Sequence, residues 1–246
     1  MDNDLLLDVI DVTKSFRGLR ALFKVSLKVY AGEVVGLIGP NGAGKTTLFN
    51  VISGFLAPDC GQVEFMERKV IGLKPHQICR LGIARTFQIV KPFSQLSTLE
   101  NVAVGSYNRI SSLREAEEKS WEVLRFVGME KKALEPAKSL TTPDRKRLEL
   151  ARALATGPKM ILLDETMSGL NPTEQKEIMG LIDKIRDAGV HFLVIEHAMR
   201  VIMGLCDRIV VIHHGECIAE GTPRAVSSNR KVIQAYLGSK YAVAED

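Results

Sequence analysis

Hydrophobic residues in this chain form short runs that predict strands of two kinds. LLLDVIDVTKSF (5–16) alternates apolar and polar positions and predicts a β-strand, and VSLKVY (25–30) predicts a second. VVGLI (34–38), ILLD (161–164) and FLVI (192–195) consist almost entirely of apolar residues. Such continuous runs are typical of parallel strands that are buried on both faces.

Amphipathic segments with helix-boundary signals lie between these runs. KTTLFNVISGFL (45–56) follows a glycine-rich loop, and RKRLELARALAT (145–156) stops before a Gly-Pro pair. NPTEQKEIMGLIDKIRDAG (171–189) opens on an asparagine N-cap and a proline and closes on a glycine. RIVVIHHGECIAEG (208–221) predicts a hairpin. We therefore expect an α/β fold, with a mostly parallel sheet covered by helices on both faces and antiparallel strands at the N-terminus.

The middle of the chain is helical in character and interrupts the strand pattern. Thr98 is the predicted N-cap of LENVAVG, and Gly128 is the predicted end of a following helix. We expect one domain over residues 1–246, in which a core of 1–87 and 158–246 carries an inserted helical subdomain at 88–157.

Composition narrows the classes of protein. The 246 residues are 46% hydrophobic and 25% charged, and the net charge of +4 does not favour a nucleic-acid partner. No two of the four cysteines have CxxC spacing, so we expect reduced, mostly buried thiols rather than a metal site or disulfides. The acidic N-terminus MDNDLLLDVI does not resemble a signal peptide, and no apolar run approaches the ~18 residues of a membrane span. These features favour a cytoplasmic protein.

The segment GPNGAGKTT (39–47) matches the pattern GxxxxGK[ST], directly after an apolar strand and at the start of a helix. Glycines let consecutive backbone N–H groups point at phosphate oxygens, and the helix N-terminus adds a partial positive charge. We predict that Lys45 reaches the β- and γ-phosphates and that the Thr46 hydroxyl binds Mg²⁺. The predicted nucleotide-binding residues of this loop are Gly39, Pro40, Asn41, Gly42, Ala43, Gly44, Lys45, Thr46 and Thr47.

Acidic and polar side chains follow the predicted strands. Asp164 and Glu165 end a buried strand, so Asp164 is predicted to bind Mg²⁺ and Glu165 to accept a proton from the attacking water. Gln88 and His197 follow two other strands, and ligands of α/β sheets bind at the carboxyl ends of the strands. A lone Gln or His is more often structural, so these two depend on the rest of the pattern.

Taken in order, these motifs resemble the ATP-binding cassette family, specifically the nucleotide-binding subunit of a transporter. The resemblance covers nearly the whole chain and implies the fold of a P-loop NTPase. It implies that Phe16 stacks on adenine, that Gln88 contributes to the metal site, and that His197 contacts the γ-phosphate. The motifs that carry it are GPNGAGKTT, Gln88, a helical insert, LTTPDRKRLELARAL (140–154), ILLDE (161–165), SGLN (168–171) and IEH (195–197).

Finer features resemble the branched-chain amino acid importers, including the stretch GLKPHQICRLGIARTFQIVKPFSQLSTLENVAVG (72–105) and the ending VIQAYLG (232–238). The resemblance implies ATP hydrolysis by two such subunits that enclose two ATP molecules. It also implies a permease, contacted by the helical subdomain and the segment after Gln88, and indirectly a solute-binding protein. Because the permease and the solute-binding protein select the substrate, branched-chain amino acids, other amino acids, urea and short amides stay open.

The residues Thr141, Thr142, Pro143 and Asp144 stand where the wider family has Ser-Gly-Gly-Gln, a segment that binds the ATP of the partner subunit. Pro143 has no N–H to donate, and Asp144 adds a negative charge unless it serves as a helix N-cap. Losing one donor to a charged group costs roughly 1.5–3 kcal/mol, which is roughly 10–100-fold in rate. In a homodimer both sites would include this weak segment. The resemblance to the branched-chain importers, which commonly pair two different ATPase subunits, leads us to favour a heterodimer. A loop that bends differently and supplies another N–H stays a rival.

The chain departs from the family's pattern at two further positions, and two rival functions stay open. Thr166 replaces the usual proline after Glu165, and Asn171 replaces a common aspartate. One rival function is a soluble ATP-binding cassette protein of DNA repair or translation, but this chain has neither a long coiled-coil insert nor a second cassette. The other is a regulatory subunit that binds ATP and hydrolyses it weakly, which the altered 141–144 segment favours and intact Glu165 and His197 oppose.

Overall fold

The computed structural model describes residues 4–88 and 91–241. Its strands are β1 (Leu5–Phe16), β2 (Leu19–Tyr30), β3 (Val34–Ile38), β4 (Cys60–Phe65), β5 (Arg68–Lys69), β6 (Ile83–Arg85), β7 (Met160–Asp164), β8 (His191–Ile195), β9 (Arg208–His213) and β10 (Glu216–Gly221). Its α-helices are α1 (Lys45–Ile52), α2 (Pro75–Leu81), α3 (Thr98–Ser106), α4 (Leu113–Phe126), α5 (Thr142–Ala155), α6 (Pro172–Asp187), α7 (Met199–Leu205), α8 (Pro223–Ser227) and α9 (Arg230–Tyr241).

The chain forms two compact units, residues 1–75 with 191–246 and residues 76–190. The first unit contains the antiparallel sheet, the loop after β3 and the C-terminal helices. The second contains the helices α3 to α6 with β6 and β7. The division at residues 88 and 157 that the sequence suggests stays a prediction.

An antiparallel sheet of order β2-β1-β4-β5 opens the first unit. In β2 the side chains of Val25, Leu27 and Val29 are buried, whereas those of Ser26 and Lys28 are exposed. This alternation is what a strand with one solvated face requires. The prediction of antiparallel N-terminal strands is confirmed.

The same unit contains a second sheet, in which β3 pairs in parallel with β8 and β9, and β9 pairs antiparallel with β10. Every residue of β3 is buried, as its continuous apolar sequence predicts. Val34 lies opposite Phe192, which aligns the start of β3 with β8. The predicted hairpin at residues 208–221 is also present, and the α/β class is confirmed.

In the second unit β6 and β7 pair in parallel. Helix α3 begins with a capping box, in which Ser97 accepts from the Glu100 N–H and the Glu100 carboxylate accepts from the Ser97 N–H. The prediction that Thr98 caps this helix is therefore wrong. Thr98 is the first helical residue, and its buried hydroxyl donates to the Glu135 carbonyl at 3.2 Å. The Ser-x-x-Glu pattern was the sequence signal for the correct cap.

The cysteines are less buried than the sequence predicted. All four are free thiols, but only Cys206 is buried, and Cys60 and Cys217 are exposed. Both exposed residues lie at strand positions that do not face the core, so the prediction of mostly buried thiols is wrong. Burial and the nearby Asp207 and Glu196 raise the pKa of Cys206 to about 12.

Residues 1–3 of the N-terminal segment lie outside the described residues, and Leu5 to Ile10 belong to β1. Among the helices that the structure describes, none combines the length and the apolar character needed to cross a bilayer.

Candidate functional site

Residues 39–44 form the loop that connects β3 to α1 in the first unit, and Lys45, Thr46 and Thr47 are the first residues of α1, as predicted. A Cβ atom on Gly39 would lie 2.0 Å from the carbonyl oxygen of Ile212, so only glycine fits there. Gly44 has φ +106°, and a Cβ there would lie 2.5 Å from the carbonyl oxygen of Ala21. These two glycines therefore allow the chain to turn closely against neighbouring backbone.

Lys45 fills the inside of this loop. Its ammonium group donates to the carbonyl oxygens of Gly39 at 2.7 Å and Pro40 at 3.0 Å, and the residue is 6% exposed. Helix α1 starts at Lys45, and among the described residues no side chain caps its N-terminus and no acidic residue lies in its first turn. The buried cation and the helix end together give the loop a positive electrostatic character that suits an anion.

The turn between β9 and β10 supports the loop from behind. The Gly215 N–H donates to the Ala43 carbonyl at 3.0 Å, and the Gly215 carbonyl accepts the N–H of Phe23 at 2.8 Å. Helix α9 also reaches the loop, because Tyr236 is hydrogen-bonded to the backbone of Gly39. Burial raises the pKa of Tyr236, and this hydrogen bond opposes part of the rise. Neither support could be predicted from the sequence, because both join residues that lie far apart along the chain.

Two other predicted residues lie in the first unit. Phe16 ends β1 with 46% of its surface exposed, and the ammonium of Lys14 lies 5.8 Å from the centre of its ring. His197 is exposed two residues after the end of β8. Their predicted contacts with adenine and the γ-phosphate stay predictions.

In the second unit Asp164 ends β7 and is paired with Arg85 of β6. The guanidinium Nη2 donates to the Asp164 Oδ2 at 3.0 Å, and the two side chains are 7% and 5% exposed. Arg85 also lies over the ring of Phe87, with 5.2 Å between the guanidinium carbon and the ring centre. Arg85 was not among the predicted site residues, although its charge in a short apolar strand was a usable signal.

Glu165 adopts a left-handed backbone with φ +51°, which is uncommon for a residue other than glycine. Its carboxylate Oε2 accepts from the Gln88 side-chain amide at 2.7 Å. Thr166 is buried with its hydroxyl 3.4 Å from that of Thr86. The structure therefore brings the two predicted residues Gln88 and Glu165 together, and Thr166 packs in place of the family's proline.

Glu149 is a further buried carboxylate that sequence reasoning missed. It lies in α5, is 7% exposed, and its Oε1 accepts from the Phe87 N–H at 2.7 Å. Burial raises the pKa of Glu149 to about 7, Asp164 adds to the rise, and the Phe87 N–H with Lys146 and Arg152 opposes it. The apolar spacing of KRLELARAL was a signal, because it places Glu149 among core positions of the helix.

The residues Thr141 to Asp144 form the start of α5. Thr141 is the N-cap, and its hydroxyl accepts from the Asp144 N–H at 3.4 Å and donates to the Asp144 carboxylate at 2.6 Å. Asp144 is therefore the third helical residue rather than the N-cap. Although burial raises the pKa of Asp144, hydrogen bonds from Lys132 and Thr141 lower it overall below its ordinary value, so its negative charge is compensated within the chain. Pro143 occupies a first-turn position, where its missing N–H breaks no helix bond.

The SGLN segment ends at Asn171, which caps α6. Its side-chain oxygen accepts from the N–H groups of Thr173 at 2.9 Å and Glu174 at 3.0 Å, and the Glu174 carboxylate accepts the Asn171 N–H at 2.9 Å. The sequence prediction of an asparagine N-cap with Pro172 in the first turn is confirmed.

Comparison with known proteins identifies the family. Residues 22–168 match the family model for the ABC transporter, and residues 216–242 match the model for the branched-chain amino acid ATP-binding cassette transporter. The chain is 39% identical to the high-affinity branched-chain amino acid transport ATP-binding protein LivG of Escherichia coli, over 95% of this chain and 98% of LivG. It is also 39% identical to BraF of Pseudomonas aeruginosa, a protein with the same description, at the same coverage of both chains.

A solved structure supports the same relationship. The ADP conformation of MJ1267, an ATP-binding cassette of an ABC transporter, superposes with a TM-score of 0.87 at 33% identity, over 95% of this chain and 99% of that one. The glycine-turned loop, the buried Lys45 and the acidic end of β7 thus occur in a chain that matches ATP-binding proteins of transporters over 95% of its length. The protein belongs to the ABC transporter family, in the group of branched-chain amino acid transport ATP-binding proteins.

Proposed function

We propose that this chain is the ATP-hydrolysing subunit of an ABC importer for branched-chain or related amino acids. The observation that carries the proposal is the loop at residues 39–47, where glycine turns, the buried Lys45 and an uncapped helix N-terminus suit a phosphate chain. The names of LivG and BraF support the amino-acid substrate, as does the match of residues 216–242 to the branched-chain group.

Each predicted residue has a role in this proposal. The backbone N–H groups of the loop and Lys45 bind the phosphates, and Phe16 stacks on adenine. Glu165 accepts a proton from the attacking water, and its carboxylate is already oriented by the side chain of Gln88. His197 contacts the γ-phosphate.

The residues for Mg²⁺ are Thr46, Gln88 and Asp164. A hydroxyl, an amide oxygen and a carboxylate are the hard oxygen ligands that Mg²⁺ prefers, so the donor set fits the ion. When bound, Mg²⁺ supplies positive charge that offsets the developing charge on the phosphate oxygens. Asp164 is paired with Arg85, so we propose that it exchanges this partner, wholly or in part, when it joins the metal site.

We propose that the chain works with a second ATP-binding subunit, and we favour a heterodimer. At the start of α5, Pro143 has no N–H, and Thr141 accepts the N–H of Asp144 while donating its own hydroxyl to the Asp144 carboxylate. Few donors are therefore left for the partner's nucleotide. Each of the two ATP sites is formed by both subunits, so a partner with a complete donor set would make one of the two sites strong.

The pair drives permease subunits from the inner face of the membrane, and a solute-binding protein delivers the substrate.

A regulatory subunit with weak hydrolysis is the second candidate, and the donor-poor start of α5 is the observation that favours it. Single-turnover hydrolysis by the assembled pair, with Glu165→Gln in this chain only, separates the two candidates. Lost turnover at this chain's site supports the ATPase, and unchanged turnover supports the regulatory role.

Lys45→Ala tests the core of the proposal. Each lost hydrogen bond to a charged group corresponds to roughly a 10–100-fold weaker interaction, so we expect at least that loss in ATP binding. Lys176→Ala, which removes an exposed lysine from α6, is the matched control and should bind ATP like the parent. Equal ATP binding and consumption by the parent and Lys45→Ala would overturn the proposed function.

A further inference from the structure

The segment 86–88 leads out of β6 and ends at Gln88, the residue that holds the Glu165 carboxylate. Its middle residue, Phe87, is fixed by a side chain from another element, because the Phe87 N–H donates to the Glu149 Oε1 at 2.7 Å. The next residue places its side-chain amide 2.7 Å from the Glu165 carboxylate. Two short hydrogen bonds on consecutive residues thus connect α5 to the proposed catalytic base.

The start of the same segment is fixed to β7. The Thr86 N–H donates to the Leu162 carbonyl at 3.0 Å, and the Thr86 hydroxyl accepts the Asp164 N–H at 3.2 Å. The Glu149 contact is therefore the step between a sheet-bound residue and Gln88. Without the Glu149 contact, the series of hydrogen bonds that begins at the sheet would end at Thr86.

Glu149 is built for this contact rather than for an ion pair on the surface. It is 7% exposed, and its second oxygen, Oε2, is buried without a hydrogen-bond partner among the described residues. Its charged neighbours are Lys146 and Arg152 of the same helix and Asp164 at the end of β7. Burying a carboxylate in this way is unfavourable, which points to a local requirement for an acceptor at this position.

Helix α5 also carries the segment 141–144 at its N-terminus, two turns before Glu149. A movement of this helix would therefore be transmitted to the backbone of Phe87, whose ring is 47% exposed while its N–H is held inside. The contact joins the segment proposed to face a partner's nucleotide with the residue that orients Glu165.

We propose that Glu149 is a positioning residue for ATP hydrolysis: it holds the Phe87 backbone so that Gln88 reaches the Glu165 carboxylate. Its effect on catalysis rests on the proposed function, whereas its hold on Phe87 does not. The residue itself contacts neither nucleotide nor water in this role, so its removal affects turnover rather than ATP binding.

Hydrogen exchange of the full-length chain tests the hold on Phe87. A hydrogen bond to a charged acceptor corresponds to about 10- to 100-fold slower exchange, so we expect that protection for the Phe87 amide in the parent. Glu149→Met should abolish it, Glu149→Gln should retain most of it because the amide oxygen still accepts, and Glu122→Gln, at an exposed position of α4, should leave it unchanged. An unprotected Phe87 amide in the parent overturns the proposal, whether or not Glu149→Met folds.

Steady-state kinetics of the chain assembled with its partner subunit and permease test the catalytic consequence. We expect kcat of Glu149→Met to fall about 10-fold with KM for ATP within about twofold of the parent, and Glu149→Gln to recover most of the loss. A rise in KM with unchanged kcat, or no rescue by glutamine, overturns the positioning role. Failure of Lys45→Ala to impair ATP binding would overturn the proposed function and leave the exchange result standing.

Discussion

The buried pair of Arg85 and Asp164 gives the sharpest quantitative prediction. The two side chains are 7% and 5% exposed, and 3.0 Å separates the guanidinium nitrogen from the carboxylate oxygen. Removing one member of such a pair leaves an uncompensated charge that is largely buried, which costs about 3–5 kcal/mol of folding free energy. We expect Arg85→Met, which keeps the length of the aliphatic stem, to destabilise the chain by this amount at neutral pH.

The matched control is Arg114→Met. Arg114 and Glu118 form a pair with a similar separation of 2.9 Å, but their side chains are 88% and 61% exposed. Exposed pairs on one helix contribute about 0.3–0.5 kcal/mol, so this variant should change stability little. Burial, rather than the distance between the charges, is then the variable that differs.

Urea unfolding followed by the fluorescence of the single tryptophan, Trp121 in α4, measures both variants. A double-mutant cycle with Asp164→Asn measures the coupling free energy between the two residues, because the second substitution removes the charge that Arg85→Met leaves unpaired. The double variant should therefore lose clearly less stability than the sum of the two single variants. Equal stability losses in Arg85→Met and Arg114→Met, or strict additivity in the cycle, would refute the reasoning.

Three other predictions concern the loop, the start of α5 and Glu149. Gly39→Ala forces a Cβ to within 2.0 Å of a backbone oxygen and should weaken ATP binding at least about tenfold in calorimetry, whereas Gly42→Ala, which meets nothing within 4 Å, adds only about 1–2 kcal/mol of backbone strain. Pro143→Gly restores an N–H at the start of α5, and ATPase assays of this chain alone and with its partner should show a roughly 10–100-fold faster rate at the site it completes; unchanged rates everywhere would mean that the missing donor does not matter. Because the pKa of Glu149 rises from its ordinary 4.5 to about 7, the folded parent binds this proton more tightly than the unfolded chain, and its stability relative to Glu149→Gln should fall by about 3 kcal/mol as pH rises from 4.5 to 7 in urea titrations. If the stability difference between the parent and Glu149→Gln stays constant from pH 4.5 to 7, the interpretation of Glu149 as a buried carboxylate is wrong.

Local sequence signals determined most of the elements. The apolar runs that became β3 and β7 are buried at every position, and the Asn-Pro start of α6 folds as a capped helix. The glycine pattern at 39–44 likewise specified a loop between strand and helix. These features could be predicted because neighbouring residues fix them through hydrophobic periodicity, capping and backbone freedom.

Local signals were ambiguous at the starts of α3 and α5. Thr98 and Ser97 are both good capping residues, and Ser97 rather than the predicted Thr98 caps α3. Thr98 is instead buried, and its hydroxyl donates to the carbonyl of Glu135, which lies far along the chain. At the start of α5 the Thr-Thr-Pro-Asp sequence forms a helix N-terminus. Only the structure showed that Lys132 compensates the negative charge of Asp144.

The sequence by itself determined the class of chemistry, because the phosphate loop and the acidic strand end are each a motif of consecutive residues. Only the tertiary structure decided what holds them. Arg85 beside Asp164, Glu149 beneath Phe87 and Gly215 behind Ala43 are contacts between distant segments. Their physical reason is burial: a charge or a polar backbone group removed from water must find a partner, and which partner is near depends on how the strands and helices pack.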